Sequence, residues 1–85
     1  LNSMSYRYVV DQAADEMVAT LTRRDQRMLR GGFRLLAEHP STRGEQEVRD
    51  MDGRLNQVKI LGGYVVTNRP DHAGQRLLIV AIELF

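Results

Sequence analysis

The chain has 85 residues, of which 42% are hydrophobic and 27% are charged, and its formal net charge at pH 7 is only +1. A chain of this length forms one small domain, and the absence of cysteine excludes disulfide scaffolds and thiolate metal sites. The small net charge argues against a general nucleic-acid coating protein. No apolar run approaches the roughly 18–20 residues that span a bilayer, and no signal peptide is recognisable, so we expect a cytoplasmic protein.

The first elements are predicted to be a strand and a short helix. Residues 6–10 alternate in polarity and are rich in β-forming residues, which predicts a strand. Asp11 is the candidate N-cap of an amphipathic helix that ends near Thr22. We interpret residues 1–3 as a cloning remnant, and we predict a single domain over residues 4–85.

A second helix is predicted to follow after a short link. Asp25 is its candidate N-cap, and Pro40 must end it. The shortness of the link predicts an antiparallel helix hairpin. Gly31 and Gly32 lie in the middle of the helix, where glycine is costly, and they indicate close approach of the first helix or of a sheet.

The last third of the chain is predicted to contain three strands. Residues 41–53 are polar and lack a period, which is typical of a surface loop. Residues 56–61 and 64–68 flank Gly62 and Gly63, and this pattern predicts a β-hairpin with a two-residue turn. Residues 77–82 are apolar on both faces, which predicts a central strand with cover on both sides.

The predicted order is therefore β-α-α-β-β-β, an α+β fold. The helix pair should pack on one face of a small, mostly antiparallel sheet. The first strand needs a partner, and we expect it at an edge of the sheet, beside one of the three C-terminal strands.

This order and several local signals resemble the RelE/ParE superfamily of toxins from bacterial type II toxin–antitoxin systems. The Leu-Leu-Ala-Glu-His-Pro run at residues 35–40 is similar to a Leu-Ala-x-x-Pro run that often closes the second helix in the family. The other matching pieces are residues 6–10 before an Ala-rich helix, the Met-Asp-Gly run at residues 51–53, and strands at residues 58–60, 62–66 and 77–82.

The resemblance implies one of two targets. Toxins of the RelE type enter the ribosomal A site and cleave mRNA, whereas those of the ParE type poison DNA gyrase. Both types are held inactive by an antitoxin that wraps the toxin. The expected partners are therefore a cognate antitoxin in a hetero-oligomer, and either the ribosome with its mRNA or gyrase; no membrane, metal or cofactor is expected.

The sequence departs from the RelE-type nuclease pattern at three places, one of which is residues 66–68, Val-Thr-Asn, where the family often has a Tyr. These nucleases usually carry an Arg directly after the aromatic residue of their Gly-x-Tyr strand, and here Val65 follows Tyr64. They usually end the last strand with Arg or His and then a Tyr, where this chain has residues 83–85, Glu-Leu-Phe. Lys59 is the one clear match, because it lies in a strand where the nucleases place basic residues.

RNA cleavage without a metal needs a general base, a cation that stabilises the phosphorane, and a general acid. Four cations are candidates for binding or stabilising the phosphate: Lys59, Arg54, Arg69 and Arg76. His72 is the one group in this region that titrates near neutral pH, and it is a candidate binding residue. The alternative is that these residues are ordinary surface and turn positions.

Arginines recur along the second helix at spacings of 4, 3 and 4, at Arg23, Arg27, Arg30 and Arg34. The last three share one helix face and are candidates for binding nucleic acid or an acidic partner. The alternative is the solvated face of an amphipathic helix.

Three functional hypotheses follow from the sequence as a whole: an mRNA endoribonuclease that inhibits translation, a gyrase inhibitor that cleaves nothing, and an inactive relative that only binds its partner.

Overall fold

A computed structural model describes residues 5–85, so the interpreted cloning remnant at residues 1–3 lies outside the described residues. The described part of the chain contains two helices and five strands. These are β1 (Arg7–Val10), α1 (Gln12–Ala19), α2 (Arg23–Glu38), β2 (Gln46–Arg49), β3 (Leu55–Leu61), β4 (Tyr64–Asp71) and β5 (Arg76–Leu84).

The five strands form one sheet in the order β1-β5-β4-β3-β2. β1 pairs in parallel with β5, and every other pair is antiparallel. The prediction of an α+β fold with a mostly antiparallel sheet is confirmed. The first strand lies at an edge beside a C-terminal strand, as predicted.

The prediction of a loop over residues 41–53 is wrong in part, because Gln46–Arg49 forms the edge strand β2. All four of its residues are exposed, so the segment has no alternation of buried and polar positions to mark it as a strand. Pairing with β3 holds it in place, and Gln57 Nε2 donates a hydrogen bond of 2.7 Å to Glu47 Oε2.

Both helices begin at side-chain caps. Asp11 accepts a hydrogen bond of 3.3 Å from the backbone N–H of Ala13, which confirms it as the cap of α1. The cap of α2 is Thr22 and not Asp25, because the Thr22 hydroxyl accepts from the N–H of Asp25 at 3.2 Å. α2 ends just before Pro40, as predicted. No helix in the described part of the chain is long and apolar enough to cross a membrane.

The core lies between the two helices and one face of the sheet. Phe33 of α2 is 1% exposed, and its ring meets that of Tyr8 edge-on with centroids 5.5 Å apart. The other buried hydrophobic residues are Ala14, Val18, Leu29, Ala37, Tyr64, Val66, Leu77, Ile79 and Ile82. Their alternation along β4 and β5 defines a core face of the sheet and an outer face.

The prediction that β5 is covered on both sides is wrong. Leu77, Ile79 and Ile82 are buried under the helices, whereas Leu78 and Val80 on the strand's other positions are only half-buried. Both described helices pack on the core face. β5 lies between β1 and β4, and neither described helix covers its apolar outer positions.

The hairpin between β3 and β4 has the predicted double-glycine turn. Leu61 pairs with Tyr64, and Gly62 has a φ of +58°, a conformation that glycine adopts without steric cost. Gly32, the second glycine of the pair in α2, lies against β3, since a Cβ there would lie 2.7 Å from Leu61 Cδ1. Close approach of the sheet is thus confirmed at Gly32, whereas Gly31 faces open space.

A hydrogen bond joins the first turn of α2 to the start of β4. The Tyr64 hydroxyl donates to Asp25 Oδ2 at 2.6 Å. This bond and desolvation by burial raise the pKa of Tyr64 above its ordinary value. A raised folded-state pKa stabilises the fold below about pH 10, and this contribution is lost as pH rises through the raised value.

We therefore expect Tyr64→Phe to lower the melting temperature at pH 7 and to make stability less sensitive to pH above about 10. Thermal unfolding followed by circular dichroism at several pH values measures both effects. Tyr8→Phe is the matched control, because Tyr8 packs against Phe33 but its hydroxyl makes no hydrogen bond within residues 5–85. An equal loss of stability in both variants would contradict the role of the Tyr64 hydroxyl.

Candidate functional site

Lys59 lies on the core face of the sheet, because it pairs with the buried Val66 in the β3–β4 ladder. Its ammonium is 3.3 Å from Glu45 Oε1, and its side chain is 34% exposed. Lys59 stands at one wall of a groove of about 260 Å³ between α2 and β3. The other lining residues are Gly32, Leu35, Leu36, His39, Thr42 and Leu61.

Arg69 lies on the outer face of the sheet, because it pairs with Leu78 and not with a core position. Its Nη1 donates to Asn56 Oδ1 at 3.1 Å and lies 3.4 Å from Asp50 Oδ2. Only 19% of its side chain is exposed. Arg69 thus ties the turn before β3 to the sheet.

Arg76 and His72 lie at one end of the sheet, around the turn between β4 and β5. The Arg76 guanidinium donates to Asp71 Oδ2 through Nε at 3.2 Å and through Nη2 at 2.8 Å. His72 Nδ1 lies 2.7 Å from the hydroxyl oxygen of Tyr6. Arg54 precedes β3 and is exposed, and its backbone N–H donates to Asp50 Oδ1 at 2.9 Å.

The structure does not bring the four candidate catalytic cations to one place. Lys59 is on the core face, whereas Arg69 and Arg76 are on the outer face, and Arg54 lies in the turn before β3. The outer face of the hairpin presents Val58 and Val65, which pair with Thr67 and Ile60. Successive residues of a strand point to opposite faces. Val58 and Ile60 therefore point to the outer face, and Lys59, which lies between them, points to the core face.

Three carboxylates near these cations are held in their charged form. The Arg76 guanidinium and then the Gly74 N–H hold the pKa of Asp71 below its usual value. The N–H of Arg54 is the main cause that lowers the pKa of Asp50, with help from the N–H of Asp52 and from Arg69. Desolvation acts to raise the pKa of Glu45, but hydrogen bonds from its own N–H, from Ile60 and from Lys59 outweigh it, and the pKa is lowered.

These lowered pKa values predict a loss of stability in acid. A carboxylate with a depressed folded-state pKa stabilises the fold above its unfolded value of about 4, and this contribution disappears as pH falls through the folded value. We expect urea unfolding midpoints to fall below pH 4. NMR titration of the Asp71 carboxylate should give a higher pKa in Arg76→Gln, and an unchanged value would contradict the assigned cause.

The arginines of α2 form a separate cationic surface. Arg23, Arg27, Arg30 and Arg34 are exposed, and the first three line a depression of about 370 Å³ together with Gln26. Among residues 5–85, no carboxylate lies within 4 Å of these guanidinium groups. Like charges one turn apart on a helix repel one another, so the stripe lowers the stability of α2 and is available to an anionic partner.

Sequence reasoning missed the partners that hold the candidate cations. Glu45 and Asp50 lie in the segment predicted as a loop, and Tyr6 was assigned only to the first strand. Nothing in their local pattern marks these residues as site residues, because each contact joins segments that are distant in sequence. The described part of the chain has no group of three His, Cys, Asp or Glu residues that could hold a metal.

No protein-family model matches this sequence, and no curated protein matches it. Solved structures do match. One is a chain of the archaeal RelE–RelB complex from Pyrococcus horikoshii OT3, with a TM-score of 0.75, 14% identity and 94% of each chain covered. The chain has a RelE-like fold.

A second RelE-like match is a chain of the RelBE2 toxin–antitoxin complex from Mycobacterium tuberculosis. Its TM-score is 0.77 at 16% identity, and the match covers 99% of this chain and 95% of the other. The resemblance to the RelE/ParE fold stated from the sequence is thereby confirmed. At this level of identity the likeness concerns the backbone arrangement and transfers no residue roles.

Proposed function

We propose that this chain is the toxin of a type II toxin–antitoxin pair and inhibits translation by ribosome-dependent cleavage of mRNA. The observation that carries the proposal is the RelE-like fold, which extends over nearly the whole chain and nearly the whole of both matched chains. Both matched chains come from toxin–antitoxin or RelE–RelB complexes, so a cognate antitoxin is the proposed partner and a hetero-oligomer the proposed resting form.

Lys59, Arg76 and Arg54 are the cations that we propose to bind RNA phosphate. The Lys59 and Arg76 side chains are 34% and 38% exposed, and each is paired with a carboxylate that a phosphate oxygen could replace. Arg69 is more buried and is fixed by Asn56, so its role in this proposal is to hold the turn that carries Arg54.

The groove between α2 and β3 is the proposed seat of an apolar antitoxin side chain. Leu35 is 60% exposed at its rim, and Leu36 and Leu61 line it. Leu35→Glu should prevent co-purification of a tagged chain with the product of the neighbouring open reading frame, and the fold should survive because Leu35 is exposed. Arg43→Glu, an exposed change outside the groove, is the control. Unchanged co-purification of Leu35→Glu would exclude this groove.

Expression of the chain alone in bacteria under a tight promoter tests the proposed activity. We expect growth arrest with protein synthesis falling before DNA synthesis in pulse-labelling, because mRNA is the proposed substrate. Lys59→Ala should relieve the arrest, whereas Arg43→Ala should not. Arrest of equal strength in Lys59→Ala would remove Lys59 from the proposed site.

A second candidate is inhibition by binding alone, as by a gyrase inhibitor. It is favoured by one observation, namely that Lys59 lies on the opposite face of the sheet from Arg69 and Arg76. In that case the arginines of α2 supply the contact, DNA synthesis falls first, and charge reversal at Arg27 and Arg30 relieves the arrest. Normal growth with folded protein would instead support a relative that only binds its partner.

A further inference from the structure

Four arginines form a straight cationic row along one side of α2. Because the cap of α2 is Thr22, the helix begins one residue later and includes Arg23, which the sequence prediction left outside the shared face. With about 3.6 residues per turn and about 1.5 Å per residue, the four side chains leave the helix within an arc of about 60° and along about 17 Å of its axis. We call these four residues the arginine stripe: Arg23, Arg27, Arg30 and Arg34.

No contact within the described part of the chain neutralises the arginine stripe. α2 has two carboxylates of its own, and Asp25 accepts the hydroxyl of Tyr64 at 2.6 Å whereas Glu38 is the last residue of the helix. Among residues 5–85, no carboxylate lies within 4 Å of the stripe's guanidinium groups. Like charges three and four residues apart on a helix repel one another, so the stripe opposes the folding of α2 and is available to an anion.

The surface between the arginines is polar. Arg23, Arg27 and Arg30 line a depression of about 370 Å³, and Gln26 is its other lining residue within the described chain. The centre of a protein–protein interface is mostly apolar and depleted in charged residues, whereas interfaces with nucleic acid are more polar and much more positively charged. The groove between α2 and β3 has the apolar character of a protein interface, but the arginine stripe does not. Its composition therefore favours a nucleic acid over a protein partner.

The spacing of the arginines suits a sugar–phosphate backbone. A stacked strand rises about 3.4 Å per phosphate, so about 17 Å of helix runs beside about five phosphates. Each guanidinium presents a planar fork that matches two oxygens of one phosphate. The stripe contains no aromatic side chain on which a base could stack, so the contacts that it offers carry no base preference.

We propose that the arginine stripe binds the phosphodiester backbone of a nucleic acid, whatever its base sequence. The phosphodiester is common to RNA and DNA. This site goes beyond the proposed cleavage of mRNA, because it uses none of the cations assigned to that reaction, and it stands if the chain cleaves nothing. It also differs from a gyrase contact, in which a protein surface would cover the same arginines.

Titration of the 15N-labelled chain with a short RNA duplex tests the proposal. We expect saturable shifts of amide signals in residues 22–34. The double variant Arg27→Gln/Arg30→Gln should weaken the apparent affinity by about tenfold, because two charge-assisted contacts are lost. It should also reduce the slope of log affinity against log salt concentration by nearly 2, since each phosphate contact contributes about 0.9.

Arg24→Gln/Arg43→Gln is the matched control, because it removes the same charge outside the stripe. Arg24 belongs to α2 but lines a different depression, beside Gly62 and Tyr64, and Arg43 is exposed in the segment before β2. Affinity and salt slope should change much less in this control than in the stripe variant. Native-like amide spectra confirm that both double variants fold. An equal effect of the two double variants would overturn the proposal.

A DNA duplex of the same sequence and a polyglutamate of similar charge distinguish the possible ligands. Equal binding of RNA and DNA would support recognition of the shared backbone, and tighter binding of RNA would support recognition of a backbone in RNA geometry. Polyglutamate that binds residues 22–34 as tightly as the duplexes, or duplex shifts confined to the strands that carry Lys59 and Arg76, would overturn the proposal. Binding at the stripe together with an undiminished growth arrest in Lys59→Ala would contradict the proposed cleavage site alone.

Discussion

Phe33→Ala should lower the free energy of unfolding by about 3–5 kcal/mol, the usual cost of removing a fully buried aromatic side chain. Phe33 is 1% exposed and fills the space between α2 and the sheet, where Tyr8 meets its ring. Small domains are stable by about 5–15 kcal/mol in total, so this loss brings the variant close to unfolding. Urea denaturation followed by circular dichroism measures it.

Leu35→Ala is the matched control for that prediction, because Leu35 lies two residues away on the same helix and is 60% exposed. Its effect on the free energy of unfolding should stay within about 0.5 kcal/mol. A loss at Leu35 as large as that at Phe33 would mean that the groove face of α2, and not its core face, supports the fold.

Arg69→Ala should lower the free energy of unfolding by about 1–3 kcal/mol, because Asn56 Oδ1 would lose its donor in a site where that side chain cannot reach much water. Asn56 is 4% exposed, and the Arg69 side chain is itself mostly buried. Urea denaturation measures the change. In growth assays the variant should act more weakly through loss of folded protein, and a stabilising ligand or lower temperature should restore its effect.

Arg54→Ala is the comparison variant that separates a structural role of Arg69 from direct contact of Arg69 with the target. Arg54 is exposed, so its replacement should leave unfolding unchanged within about 0.5 kcal/mol, whatever it does to growth arrest. If Arg69→Ala keeps its full stability and still abolishes growth arrest, Arg69 contacts the target directly and the structural account of its contacts is wrong.

The sequence predicted helices and strands correctly where a periodic hydrophobic pattern was ended by proline or glycine. The apolar stripe of α2 and Pro40, and the alternation on both sides of Gly62 and Gly63, placed those elements correctly. β2 was missed because all of its residues are exposed and its strand character comes only from pairing with β3. The cap of α2 was misplaced by three residues, since Thr22 and Asp25 are both good cap residues and only the fold decides between them.

The candidate site was less predictable than the fold. A two-residue turn sets the register of its hairpin, so Lys59 had to pair with Val66, and the sequence could have assigned it to the core face. The ion pairs of Lys59 with Glu45 and of Arg69 with Asp50 could not have been found, because they depend on where a strand without a pattern docks. The bond from Tyr6 to His72 joins residues 66 positions apart.

The parallel pairing of β1 with β5 also constrains when the molecule can assemble. β1 has no partner until residues 76–84 exist, since β5 lies between it and the rest of the sheet. Contacts this distant in sequence slow folding, because a long loop must close before they form. A nascent chain emerging at about 5–20 residues per second therefore cannot complete the sheet, or any surface that depends on it, until β5 has left the ribosome that makes it.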